Sequence, residues 1–346
     1  MPELRLRELH PHEYNKWDDF VDASQQGTIF HKSFWLDVCA QTLNKIPRIY
    51  SCFDGDRFVA GCALFVTPSR TRLYNLAGST AGMSPYGGLA LAQSETKSVR
   101  RNEQTFNDVI KALTENLDDQ GFQWVRLVNP PSFIDVRPFL SNGWYPKICY
   151  TYYLDLNEDL ERKFSKWTRR TARIAMKDHV TVRRLATPDS KMYSRLFSMT
   201  FRKQNLEPPV PAEFFDAMFQ RLASQLAGEM WIAEMPDGEV ASAEIIVWDK
   251  RRPYRWSAAS NPEFKETGAT TLMLSEIFRS LKQRNFTEID LMAATVPNLA
   301  KFIAGFNPTL IPYYLVERKT WLARNVLTAY SNVSGQLRVW RKGSQT

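Results

Sequence analysis

Two carboxylates stand in stretches that are otherwise apolar. Glu244 interrupts the run Val240-Ala241-Ser242-Ala243-Glu244-Ile245-Ile246-Val247, and Asp290 ends the run Phe286-Thr287-Glu288-Ile289-Asp290. A carboxylate removed from water is costly unless paired, and desolvation lifts its pKa toward the range in which it takes a proton from an amine or hydroxyl. Both residues are therefore candidate general bases. The bland alternatives are a structural salt bridge for Glu244 and a cap or turn for Asp290.

A second group of residues points to anions. Lys163 to Arg184 holds eight Lys or Arg and one acid, Asp178. At helical spacing Lys166, Arg170, Arg173 and Lys177 share a stripe, with Phe164, Trp167, Thr171 and Ile174 expected on the packing side. Arg170 and Arg173 then read either as a forked phosphate clamp in a cleft between domains or as a solvated face. A further anion site is expected where the strand Tyr254 to Ser260 turns through Asn261, Lys265 and Gly268 into a helix from Thr270, because a helix N-terminus offers free N–H groups and a favourable dipole. An ordinary capped loop is the competing reading of that turn. Ser84-Pro85-Tyr86-Gly87-Gly88 forms either a simple β-turn or a functional loop.

These residues need elements to hold them, and the elements occur twice. Ile49 to Phe53 and Phe58 to Val66 flank Asp54-Gly55, just as Met230 to Glu234 and Val240 to Trp248 flank Asp237-Gly238. Each is a β-hairpin signal. Each is followed by an amphipathic helix, Phe106 to Leu117 or Thr271 to Lys282, and by a strand, Gly121 to Leu127 or Asn285 to Leu291. Phe139 to Trp144 and Phe302 to Asn307 come next and lead into Tyr150 to Leu156 and Tyr313 to Glu317. Four matched elements in one order predict a tandem repeat of an α+β unit with a mixed sheet, the alternative being two unrelated α/β domains with similar element order. The expected domains are 1–156 and 157–318, with 319–346 as a C-terminal helix that packs back on the protein. Aligned on their glycines, the repeats set Glu244 against Ala63 and Asp290 against Arg126, as if only the second copy kept the chemistry.

Composition bounds the partners. The 346 residues exceed the size at which one core stops growing, about 250–300 residues, and 44% are apolar. A net charge of +8 favours anionic partners. Four cysteines and four histidines lack metal-ligand spacing, so free thiols, no metal and a reducing cytoplasm are expected. Neither a signal peptide nor a membrane span is read from the sequence. Leu322, Val326, Tyr330, Val333, Leu337 and Trp340 form a helical stripe beside Arg324, Arg338, Arg341 and Lys342, a candidate for peripheral membrane contact and more readily for packing on the protein itself.

Three stretches carry a resemblance: Trp17-x-x-Phe20 with Phe30-His31-x-Ser33-x-Trp35; Trp167-x-Arg169-Arg170-x-x-Arg173-Ile174-Ala175-x-Lys177; and Asp290 to Tyr314 with Phe302-x-x-x-Phe306. They resemble the Fem peptidoglycan aminoacyltransferases and their FemAB-like relatives, built from two GNAT acyltransferase domains. The resemblance implies an acyltransferase with no permanently bound cofactor, using acyl-CoA or aminoacyl-tRNA as co-substrate. It implies substrate contacts at His31, Trp35, Tyr86, Arg170, Arg173, Trp256 and Phe302, donor contacts at Ser260, Asn261, Lys265, Gly268 and Thr270, and catalysis at Glu244 or Asp290. Fem enzymes that use tRNA usually have Phe-Lys where this chain has Phe302-Ile303, and Lys301 stands one position early. The pattern is thus nearer the FemAB-like acetyltransferases. Three functions follow: transfer from a thioester to an amine or hydroxyl of a small-molecule, peptide or sugar acceptor; aminoacyl transfer from tRNA; or anion and RNA binding without catalysis.

Overall fold

The computed structural model describes residues 4–67, 75–94, 96–202, 206–292 and 294–321. The first half runs β1 (Leu4–Glu8), α1 (Tyr14–Ala23), α2 (Ser33–Leu43), β2 (Ile46–Asp54), β3 (Arg57–Thr67), β4 (Leu76–Gly78), β5 (Leu89–Leu91), α3 (Val99–Asp119), β6 (Trp124–Val128), α4 (Arg137–Ser141) and β7 (Tyr145–Asp155). The second half runs α5 (Leu160–Lys163), α6 (Lys166–Lys177), β8 (Thr181–Arg184), α7 (Ser190–Arg202), α8 (Ala212–Ser224), β9 (Gly228–Glu234) and β10 (Val240–Trp248). It closes with β11 (Pro253–Ser260), α9 (Ala269–Gln283), β12 (Glu288–Asp290), α10 (Pro297–Ala304) and β13 (Thr309–Lys319).

Local chemistry explains most of these limits. The two expected hairpins form, and Gly55 and Gly238 turn them with φ of 62° and 85°, a conformation glycine adopts without a steric cost. Ser98 caps α3 by accepting the Arg101 amide, and Ser165 caps α6 by accepting the Thr168 amide. Pro297 opens α10 at a position where its missing N–H costs nothing. The stripe from Leu322 to Trp340 lies outside the described residues.

The strands form one continuous mixed sheet in the order β1-β2-β3-β4-β6-β13-β7-β12-β11-β10-β9-β8, with β5 added on β3. Its middle holds an exchange. The last strand among the described residues, β13, pairs antiparallel with β6 on one side and β7 on the other, both from the first half. In turn β7 pairs antiparallel with β12 of the second half. Each half therefore completes its sheet with the closing strand of the other.

Three cores follow. On one face α1, α2, α7 and α8 cover a single core spanning both halves, with Trp17, Phe30, Trp35, Tyr86, Tyr193, Phe214 and Trp256 among its members. On the opposite face α3 and α4 close a first-half core around Leu113, Leu127 and Phe139, while α6, α9 and α10 close a second-half core around Ala175, Phe278, Ile289 and Phe306. Among the described residues no helix is long and apolar enough to cross a membrane.

The exchange makes a direct prediction. Produced alone, residues 1–156 leave the edges of β6 and β7 unpaired and their apolar faces open, so the fragment is expected to aggregate. Co-expression with 157–346 should return both as one soluble complex, checked by co-purification through a tag on either piece.

Candidate active site

Asp290 is fully buried at the end of β12 and makes three hydrogen bonds. Tyr86 donates its hydroxyl to Oδ2 at 2.8 Å, Thr151 on β7 donates to Oδ1 at 2.6 Å, and the Met292 amide donates to Oδ1 at 2.9 Å. Burial nevertheless dominates and lifts the carboxyl to about 6, with the hydrogen bonds and the positive charge of Arg252 opposing it. The backbone just beyond is strained: Met292 has a φ of 57°, unusual for a bulky residue and characteristic of functional turns.

The Tyr86 side chain reaches Asp290 because its loop lies flat on its neighbours. A Cβ on Gly87 would come within 2.1 Å of the Ser79 carbonyl oxygen, and one on Gly88 within 2.4 Å of Asn129 Oδ1. Gly88 also has a φ of 82°, so only glycine suits that position. Burial and the nearby Asp290 charge push the Tyr86 phenol well above its ordinary value, and it stays protonated as a donor.

Above this pair opens a narrow cleft between the halves, lined by Thr28, Tyr86, Ser132, Tyr153, Arg252 and Tyr254 among others. Its interior volume is about 10 Å³, room for one water. The Arg252 guanidinium lies 4.4 Å from the centre of the Tyr153 ring and pairs with Glu288 at 3.0 Å. The β10–β11 turn staples the cleft shut at one end: Arg251 donates to the carbonyls of Asp22, Ser24 and Gly27, and Asp249 accepts from the Ile29 amide at 3.1 Å and the Tyr254 hydroxyl at 2.7 Å.

At the floor, β11 meets β12 at one register position only, Tyr254 opposite Asp290. Beyond it no further register position joins the two strands among the described residues, and at the end of β11 the Ser260 backbone is bonded to the Thr200 hydroxyl. A bulge in the β10–β11 ladder adds one residue, Trp256, where Ile245 pairs with Ser257 and Ile246 with Arg255.

Glu244 is elsewhere. Its neighbours Ala243 and Ile245 face the core shared by both halves, so alternation turns Glu244 to the α9 side, whereas Asp290, next to Ile289 of the α9-side core, faces the shared core. The two carboxylates therefore lie on opposite faces of the sheet. Glu244 forms a buried ion pair with Arg255 through Oε1. Desolvation raises its pKa, and the Arg255 charge works against that rise. Breaking such a pair strands a buried charge, so the arrangement fits a structural pairing.

Arg170 and Arg173 also depart from expectation. Thr168, Ala172 and Ala175 form the packing face of α6, not Trp167 and Ile174, which are 63% and 43% exposed. Small residues let α6 lie close to α9, and a Cβ on Gly268 would meet the Thr171 carbonyl oxygen at 2.8 Å. The helix thus belongs to the α9-side layer with its cations turned outward, away from the Asp290 cleft.

Other expected residues are placed as follows. His31 is buried; its Nδ1 accepts the Thr28 amide at 3.2 Å, and burial pulls it down to about 4, so it is neutral. Trp35 donates to Ser84 and packs edge-on against Trp256 at 4.9 Å, and Trp256 donates to the Met83 carbonyl. Phe302 packs against Phe306, with Ile303 fully buried behind it and Lys301 exposed. At the other anion candidate, Gly268 has a φ of 76° as the N-cap of α9, Thr270 follows in the first turn, Asn261 caps a short 3-10 turn, and Lys265 is exposed. Ser260 exchanges backbone hydrogen bonds with the Thr200 hydroxyl.

Thr151, Tyr153 and Arg252 lie outside the candidates read from the sequence, and nothing local marks the last two. The one available signal was Thr151 as the lone small polar residue within Tyr150-Thr151-Tyr152-Tyr153.

The Asp290 environment has a measurable consequence. Because the folded carboxyl titrates near 6 rather than 3.8, it favours the fold below its unfolded pKa, and that contribution is lost as pH rises through 6. Wild type should lose on the order of 3 kcal/mol more than Asp290→Asn between about pH 4 and pH 7, read from chemical denaturation at each pH.

Comparison with known proteins agrees with this architecture. Residues 162–297 match the sequence profile of the acetyltransferase (GNAT) domain. No curated protein matches the sequence. Among solved structures, FemX is similar with a TM-score of 0.68 at 12% identity, covering 89% of this chain and 96% of its own. A tandem GNAT protein from the clavulanic acid biosynthesis pathway gives 0.55 at 11%, covering 92% and 98%. L-PGS from Bacillus licheniformis gives 0.56 at 13%, covering 93% and 96%. The profile supports acyl transfer in general, and the solved structures show the fold. Residues 162–297 thus match the GNAT acetyltransferase domain by sequence, and the whole chain shares its fold with FemX and with a tandem GNAT protein.

Proposed function

We propose that this protein moves an acyl group from acyl-CoA or a similar thioester to an amine whose nitrogen alone enters the narrow cleft between the halves. The observation that carries the reading is Asp290: a buried carboxyl poised near 6, bonded to Tyr86, at the one register position that joins β11 to β12. A protonated amine is not a nucleophile, so the reaction needs a proton acceptor at the cleft. As the amine attacks the acyl carbon, its proton passes to the Tyr86 oxygen while Tyr86 gives its own to Asp290. The acyl oxygen gains negative charge, which backbone N–H groups of β11 between Trp256 and Ala259 stabilise. Collapse expels the thiolate and leaves the amide.

A donor carried on tRNA is the second reading, favoured by the similarity to FemX. Against it stands Ile303, fully buried at the position where Fem enzymes that use tRNA usually have a lysine. Non-catalytic anion binding is the third reading.

One experiment separates the three. The purified chain is melted with acetyl-CoA, aminoacyl-tRNA or bulk RNA, since only a ligand of the native state raises Tm. Single-turnover transfer to an amine panel is then followed with whichever donor binds. The expected result is stabilisation by acetyl-CoA, a rate that rises with pH to a plateau above about 6, and a loss of about 100-fold or more in Asp290→Asn. An Asp290→Asn enzyme with wild-type rate and pH profile would remove Asp290 from the chemistry. Stabilisation by RNA alone, with no transfer, would favour the third reading.

A further inference from the structure

The outward face of α6 serves nothing described so far. Lys166, Arg170, Arg173 and Lys177 are all exposed along it, and none pairs with an acid among the described residues. Beside them stand Trp167, 63% exposed, Ile174, 43%, and Met176, 48%. The acids nearest in sequence offer little competition: Glu161 is engaged by Arg279, and Asp178 closes the helix as its C-cap. An indole and two aliphatic side chains held in water among unpaired cations cost free energy that a binding partner would recover.

We infer that this face of α6 docks the protein on an anionic lipid surface, with Trp167 and Ile174 entering the headgroup region and the four cations reaching lipid phosphates. Charge complementarity selects an anionic partner. The apolar side chains select a bilayer over a nucleic acid: a base can stack on an indole, but Ile174 and Met176 have no ring face to offer and gain only by leaving water. Long cationic side chains suit such a boundary, since their stems lie along apolar surface while the charged ends stay at phosphate level.

The helix is also pre-organised for the task. The Gly305 carbonyl accepts from the Ser165 amide at 2.9 Å and the Thr168 hydroxyl at 2.9 Å, and Gly268 admits the Thr171 backbone on the other side. No segment has to fold on binding. Because α6 sits in the α9-side layer, docking there leaves the Asp290 cleft on the other face uncovered. The inference stands apart from the acyl-transfer reading and survives its failure.

The test is flotation of the full chain with vesicles of phosphatidylcholine alone or with about 30% phosphatidylglycerol. Binding is expected only to the anionic vesicles. Arg170→Gln with Arg173→Gln should weaken it by about 10-fold or more, and Trp167→Ala by several-fold, each with unchanged Tm because the altered side chains are exposed. Absence of binding to anionic vesicles overturns the inference. So does binding that Trp167→Ala leaves intact, which would be diffuse charge attraction. Tighter binding to a bulk tRNA mixture than to the vesicles, lost in the same variants, would reassign the face to nucleic acid.

Discussion

The whole structure depends on the backbone ladder at the centre of the sheet, where β13 is inserted between β6 and β7. Peptide N–H and C=O groups buried under helical layers on both faces must find partners, and here those partners come from the opposite half. The exchange sets the other contacts. It brings Thr151 on β7 alongside Asp290 on β12, and with β6 fixed against β13 the Tyr86 loop is pinned by the Gly87 amide on the Val128 carbonyl. A carboxyl from one half thereby sits in a cage supplied by the other.

The contrast between the two buried carboxylates shows how the same burial gives two roles. Glu244 is matched by a full positive charge on Arg255 within its own half. Asp290 is held by neutral donors, Tyr86 and Thr151 from the first half and the Met292 amide from its own, with Arg252 near enough to act through its charge but already paired to Glu288. Neutral hydrogen bonds offset only part of the desolvation, which is why Asp290 titrates near 6. A proton acceptor needs that incomplete compensation, and a structural pair avoids it.

Element order was legible in the sequence because it is local: Asp-Gly turns, capped helices and alternating runs each announce themselves within about ten residues. Partnership across the chain was not. Tyr86 and Asp290 are separated by 204 positions, and nothing in either neighbourhood names the other. The faces of Glu244 and Asp290 could not be compared from spacing, since each strand's orientation depends on its neighbours. For α6, size misled: Trp167 and Ile174 are the larger apolar residues, yet close helix packing selected Thr168, Ala172 and Ala175.

The inserted strand also sets a timetable for synthesis. The first half reaches Asp155 with β6 and β7 made but separated by the width of a missing strand, and that strand is completed only at Lys319. At roughly 5–20 residues per second, the gap stays open for about 10–30 s of translation. During that interval β6 and β7 can pair with each other, a non-native closure that must reopen before β13 can enter. Until β13 arrives, the facing edges of β6 and β7 hold peptide groups that lack their native partners.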